Sequence, residues 1–134
     1  MKIEIVEPIG WKAPKGYANG VVASGASKLL FVAGQVAWDA DQKLVGGDDM
    51  ALQFEQVLKN IVAVVHAAGG EPRHLVRMTC YVTDKRRYVA ATREIGAHWR
   101  AILGKHFPAM ALVEVAGLLE PGALVEIEAT AVLA

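Results

Sequence analysis

The chain has 134 residues, 54% of them hydrophobic, and its 14 Lys and Arg balance its 14 Asp and Glu. This length is that of one domain, so we expect a single domain over residues 1–134. Neutral net charge provides no positive field to attract nucleic acid, so we expect no nucleic-acid partner. Cys80 is the one cysteine, which excludes an internal disulfide and a cysteine-based metal cluster.

Several other classes of protein lack support in the sequence. No apolar run approaches the roughly 18 residues of a membrane span, and the acidic start, MKIEIVEP, is not a secretory signal. We therefore expect a cytoplasmic protein with no membrane contact. No nucleotide fingerprint, phosphate-binding loop or nucleophile elbow is present, and no histidines pair at metal-ligand spacing on a helix face. The sequence thus predicts neither a metal nor a cofactor.

Turn residues divide the first third of the chain into short strands. Lys2 to Val6 alternates weakly and predicts a strand, and Pro and Gly make the next ten residues a loop. Val21–Ala23 and Leu29–Val32 then predict a β-hairpin around residues 24–27.

Helical periodicity marks two later segments. Asp48 or Asp49 is a suitable N-cap for a helix that continues to about Ala68, where Gly69 and Gly70 end it. Its apolar stripe, which we interpret as core, comprises Met50, Phe54, Val57, Leu58, Ile61, Val65 and Ala68. After a strand at residues 75–83, Thr83 and Asp84 predict the start of a second helix that ends near Leu103.

The last quarter of the chain has two apolar strands, each containing carboxylates, and a predicted turn joins them as a final β-hairpin. A period of two places Met110, Leu112 and Glu114 on one face of the first strand. In the second strand, Glu126 and Glu128 lie opposite Val125 and Ile127. Carboxylates in apolar strands require solvent or a function, and a solvated sheet face is the ordinary explanation.

The element order β-β-β-α-β-α-β-β predicts an α+β fold with a single mixed β-sheet and two helices packed on one face. The other face of the sheet would then be uncovered. Because the composition is unusually apolar, we expect other subunits to bury that face.

Several separated blocks of the sequence resemble the RidA/YjgF family of enamine and imine deaminases, also called endoribonuclease L-PSP-like. The resemblance rests on Pro108-Ala109, Val113-Glu114-Val115 and Glu126-Ile127-Glu128-Ala129, with support from Gly34-Gln35 and Asn60. It implies a chorismate-mutase-like fold, a homotrimer, and a small-molecule metabolite bound in each cleft between subunits.

The same resemblance implies roles for individual residues. Glu126 matches the glutamate that positions the hydrolytic water, and it is the expected catalytic residue. The expected substrate-binding residues are Tyr17, Ala33, Gly34, Thr92, Met110 and Leu112. A carboxyl group in a partly apolar cleft can orient water and transfer a proton to nitrogen as ammonia leaves.

One position departs from the family pattern, because Met110 stands where the family has an arginine that binds the substrate carboxylate. A thioether cannot replace a bidentate guanidinium, so the expected substrate differs from 2-aminoacrylate. Substitute anion contacts are offered by the arginines of the second predicted helix, which are Arg86, Arg87, Arg93 and Arg100.

Other interpretations remain open at this stage. Glu126 could equally be a structural partner in a subunit interface. The protein as a whole could be a non-catalytic metabolite sensor or regulatory trimer. Ribonuclease activity, suggested by labels given to some family members, has the least support because net charge is neutral and no catalytic histidine pair is evident.

Overall fold

A computed structural model describes residues 1–134 and has an α+β fold built on a four-stranded mixed sheet. The elements are β1 (Lys2–Val6), β2 (Gly20–Ser24), β3 (Lys28–Gln35), α1 (Met50–Ala67), a 3₁₀ turn (Pro72–His74), β4 (Leu75–Val82), α2 (Lys85–Ala90), α3 (Thr92–Leu103), β5 (Ala109–Glu114) and β6 (Val125–Leu133). The strand order is β3-β6-β4-β5, with β5 parallel to β4 and the other pairs antiparallel. The predicted α+β class and mixed sheet are confirmed.

Both predicted hairpins are wrong. β2 pairs with β1 in a separate two-stranded ladder, and β3 pairs with β6. β5 and β6 lie on opposite sides of β4 and do not pair with each other. The physical reason is that β5 enters the sheet from α3 and runs parallel to β4, which requires a crossover connection. The chain then crosses β4 before β6 begins, so no tight turn joins the last two strands.

Helix α1 provides much of the core. The Oδ1 atom of Asp49 accepts a hydrogen bond from Leu52 N at 3.0 Å, which confirms the predicted N-cap. The predicted apolar stripe is buried from Met50 to Val65, whereas Ala68 is exposed at the C-cap. Gln53 is fully buried among these apolar residues, and the apolar stripe gave no indication of it.

The second predicted helix is two helices. Asp84 caps α2 through hydrogen bonds from the backbone N–H groups of Arg86 and Arg87, as expected. The backbone then leaves helical geometry at Ala91, and the hydroxyl of Thr92 donates to Val89 O at 2.9 Å. Because the apolar periodicity continues across Ala91, the sequence pattern does not indicate this break.

The helices cover one face of the larger sheet and leave the other uncovered, as expected. Val32, Met78, Cys80, Val125, Ile127 and Ala129 are buried in the core on the covered face. The opposite face, called the open face below, exposes apolar side chains: Leu29 is 61% exposed, Phe31 73% and Val113 43%. None of the helices has the length and apolar character needed to cross a membrane.

Candidate ligand-binding and catalytic site

A cavity of about 430 Å³ lies between α3 and the β4–β5 edge of the sheet, on the covered face. Helix α3 lines it with residues at spacings of three and four, which share one helical face. These residues are Thr92, Ile95, Gly96, Trp99 and Arg100. The volume lies within the range typical of small-molecule sites, roughly 300–1,000 Å³. We call it the α3 cavity.

The floor of the α3 cavity is apolar. Met110 and Leu112 of β5 lie in register with Met78 and Cys80 of β4, so all four side chains point to the helix side of the sheet. The rings of Trp99 and Phe107 stack beside them with centroids 5.8 Å apart. Such walls favour a ligand with an apolar body.

No residue of the α3 cavity provides an acid or base suited to neutral pH. Burial raises the pKa of the Cys80 thiol to about 12, so this side chain stays protonated, as expected for a core residue. Burial likewise raises the pKa of Tyr88. No carboxylate or histidine belongs to the lining. The cavity can therefore bind a ligand, but proton transfer requires a group from elsewhere.

Two cations border the α3 cavity, Lys15 and Arg100. The loop that carries Lys15 is held against the sheet by a hydrogen bond from Ala18 N to Pro108 O, 3.0 Å long. Arg100 takes part in none of the salt bridges of the chain, whereas Arg87 is paired with Asp48. Of the arginines predicted as anion contacts, Arg100 is the one that lines the cavity.

Glu126 lies in a second place, on the open face of the sheet. Its neighbours in sequence, Val125 and Ile127, are fully buried on the covered face, so its own side chain points the other way. The register of β3 against β6 shifts between Val32 and Gln35. At this irregularity Gly34 passes so close that a Cβ atom there would be 2.7 Å from Oε2 of Glu126. The carboxylate therefore lies directly against the β3 backbone.

The open face carries negative charge around Glu126. Tyr81 is the register partner of Glu126, and its hydroxyl donates to Glu128 Oε1 at 2.9 Å. This hydrogen bond raises the pKa of Tyr81, desolvation and the charges of Glu128 and Glu126 raise it further, and the charge of Arg77 opposes them. Glu126 itself forms no salt bridge, so its carboxylate is available for water or a ligand.

The residues predicted as one site thus fall into two groups. Thr92, Met110 and Leu112 line the α3 cavity. Ala33, Gly34 and Glu126 belong to the β3–β6 irregularity. The Glu126 side chain lies on the open face, so the sheet separates it from the cavity. Tyr17, 42% exposed, directly follows Gly16 at the cavity rim. A single chain does not bring the two groups together.

The sequence-based assignment missed most of the cavity lining, including Lys15, Gly96 and Trp99. Lys15 lies in an irregular loop, where no local pattern indicates its position. Gly96 and Trp99 share the apolar-facing side of α3 with Thr92, so the helical period could have identified them. His106, the residue before Phe107, does not line the cavity. Its ring Nε2 lies 2.7 Å from Leu75 O, and its backbone oxygen accepts a hydrogen bond from Trp99 Nε1.

The fold and the cavity define a small α+β protein with a mixed sheet and a pocket of small-molecule size at the sheet edge. The model of the endoribonuclease L-PSP family matches residues 10–133, and the chain belongs to this family, which includes the RidA/YjgF proteins. The predicted family resemblance is confirmed.

Individual relatives agree with this assignment. The RutC family protein slr0709 of Synechocystis is 34% identical over 99% of this chain and 98% of its own. The crystal structure of the Rid family protein YyfB from Yersinia pestis superposes with a TM-score of 0.87 at 35% identity, covering 99% of this chain and all of that one. RidA from Psychrobacter sp. PAMC 21119 gives a TM-score of 0.67 at 30% identity, with 91% of this chain and 92% of that one covered.

Proposed function

We propose that this protein is a hydrolytic deaminase of small imines or enamines, and that each active site is shared between two copies of the chain in a homotrimer. The α3 cavity of one copy binds the substrate, and Glu126 of a neighbouring copy acts on it. The observation that carries the proposal is the separation of the α3 cavity from Glu126 within one chain. No carboxylate lines the cavity, and Glu126, the carboxylate beside Gly34, lies on the opposite face of the sheet.

The uncovered sheet face supports the assembly. Leu29 and Phe31 of β3 and Val113 of β5 are exposed on the same face as Glu126. Leu29 and Phe31 lie on one edge strand and Val113 on the other, and exposed apolar side chains on an uncovered sheet face are consistent with an interaction site. Copies that bury this face against each other carry Glu126 into the interface, next to a neighbouring cavity.

The reaction requires one water molecule and returns ammonia. The Glu126 carboxylate accepts a proton from water as the water oxygen bonds to the C=N carbon of the imine. That proton passes to nitrogen and gives the carbinolamine. The carboxylate then takes the proton of the new hydroxyl group and delivers it to nitrogen as the C–N bond breaks, so that a carbonyl compound and ammonia remain. An enamine first gains a proton on carbon and loses one from nitrogen to become the imine. A carboxylate without a salt-bridge partner suits this role, because no paired cation opposes its protonation.

Met110 directs the choice of substrate. Its side chain lies on the cavity floor beside Leu112 and offers no charge to a carboxylate. The apolar floor can instead contact a substrate side chain, so we expect poor activity on 2-aminoacrylate, which has almost no apolar body, and better activity on imines with larger apolar side chains. These imines form in solution when an amino-acid oxidase acts on leucine or phenylalanine.

The test is ammonia release from such imines, with Glu126→Gln compared with Glu128→Gln. Both changes remove one negative charge from the open face, but Glu128 is bound to Tyr81 and has no role in the proposed reaction. We expect the native chain and Glu128→Gln to accelerate ammonia release. With Glu126→Gln, ammonia release should be no faster than without protein. Equal rates for the two variants would overturn the role of Glu126.

A non-catalytic metabolite-binding protein is the second candidate. The absence of any carboxylate or histidine from the cavity lining favours it. Ligand binding by the native chain, with no acceleration of any imine in the panel, would support this candidate over the deaminase.

A further inference from the structure

Arg100 lies across Gly96, one turn earlier on α3. A Cβ atom at position 96 would be 3.5 Å from Nη1 of Arg100, which places the guanidinium against the bare helix backbone. Apart from the adjoining backbone of α3 itself, no other atom lies within 4 Å of that Cβ position. Glycine is among the weakest helix formers, and packing within the chain does not require it here. Glycine at position 96 instead leaves space at the cavity wall beside the Arg100 guanidinium.

The charges at the cavity rim are uncompensated. Lys15 and Arg100 both border the cavity, no carboxylate lines it, and neither cation belongs to a salt bridge. Behind them lies an apolar floor formed by Met110, Leu112 and the Trp99 ring. This arrangement complements a molecule that has one anionic end and one apolar end.

We infer that the α3 cavity selects small organic anions with an apolar body, that Arg100 binds the anionic group with help from Lys15, and that Gly96 is a specificity-determining residue. The inference deepens the proposed function and rests on it only for the claim that such a ligand is also a substrate. The anion contact is therefore on α3 and not at position 110. The space above Gly96 holds the guanidinium and the adjoining part of the ligand.

Binding is tested by calorimetry with three probes of defined chemistry. 3-Phenylpropanoate has an anionic carboxylate and an apolar phenyl group. Its neutral analogue 3-phenylpropanamide has the same shape without the charge. Acetate has the carboxylate without the apolar group. We expect 3-phenylpropanoate to bind at least about tenfold more tightly than the amide, and acetate to give no measurable binding. Equal affinity for the amide, or comparable affinity for acetate, would overturn the inference.

Variants of α3 identify the residues involved. Arg100→Gln should weaken binding of 3-phenylpropanoate about tenfold and leave binding of the amide unchanged. Arg100→Lys should recover part of the loss, since it restores the charge without the bidentate geometry. Arg93→Gln is the matched control, because Arg93 is exposed on the same helix and does not line the cavity. Native affinity in a folded Arg100→Gln variant would remove the claim for Arg100.

Gly96→Ala separates a binding role from a structural one. Alanine improves helix propensity, so the variant should melt at a higher temperature than native protein. It should nevertheless bind 3-phenylpropanoate more weakly, because the methyl group occupies space beside Nη1. Unchanged affinity would remove the role of Gly96. The calorimetry needs no turnover, so selective binding with no deamination would contradict the proposed function and leave this inference in place.

Discussion

Gly34 of β3 and Glu126 of β6 are so close that a Cβ atom at position 34 would lie 2.7 Å from Oε2 of Glu126 and 2.9 Å from its Cδ. Real side chains do not tolerate such distances, so one of the two groups must move when residue 34 gains a side chain. The carboxylate is the end of a flexible side chain and moves more readily than the β3 backbone. Glycine at position 34 therefore sets the position of the Glu126 carboxylate.

We predict that Gly34→Ala lowers deaminase turnover about 100-fold, since misplacing a reacting group by about 1 Å can cost that much. The free energy of unfolding should change by less than about 1 kcal/mol, because Glu126 can rotate toward solvent. Steady-state kinetics and urea denaturation measure the two effects. Gly117→Ala is the control, because nothing lies within 4 Å of its Cβ position. Native turnover by Gly34→Ala would contradict the proposed role of this contact.

Gln53 connects α1 to the segment that enters β6. Its Nε2 donates to Gly47 O at 2.7 Å and to Gly122 O at 2.9 Å, and its Oε1 accepts from Leu124 N at 2.8 Å. Gln53→Leu leaves these backbone groups unsatisfied, and each buried unsatisfied group costs about 1–3 kcal/mol. We predict a loss of about 3 kcal/mol in unfolding free energy by urea denaturation. Lys59→Leu on the same helix should change it by less than about 1 kcal/mol.

His74 should make stability depend on pH. Its buried ring accepts a hydrogen bond at Nδ1 from Glu71 N, 2.9 Å long. Burial lowers the pKa of His74 below its ordinary 6.5, and the charges of Arg73 and His106 lower it further while Glu71 opposes them. The unfolded chain therefore binds a proton that the folded chain resists, so stability falls as pH drops below about 6.5.

The measurement is unfolding free energy at pH 7.5 and pH 5.5 for native protein and His74→Gln. Glutamine can accept the Glu71 hydrogen bond but does not titrate, so the variant should lose less stability on acidification. His66→Gln, on the exposed side of α1, should retain the native pH dependence. Parallel pH profiles for native and His74→Gln would show that another group is responsible.

The sequence predicted most elements and the class of fold because these depend on local pattern. The caps at Asp49 and Asp84 and the stripe of α1 are signals within a few residues. Strand partners are not local. The last two strands looked like a hairpin, but β4 separates them. Which residues form one site depends on those partners and, in the proposed assembly, on other copies of the chain. Glu126 and Met110 could therefore each be proposed from the sequence but not placed relative to each other.

The most direct test of a site shared between copies is complementation of two inactive variants. Glu126→Gln keeps the cavity and lacks the carboxylate, whereas Gly96→Trp fills the cavity and keeps the carboxylate. When the two are refolded together at equal amounts, about a quarter of all sites, or about one in three within mixed trimers, should combine an intact cavity with a neighbour's Glu126. We predict that ammonia release recovers to about a quarter of the native rate. Mixed trimers, verified by native mass spectrometry, that remain as inactive as either variant alone would contradict the shared site.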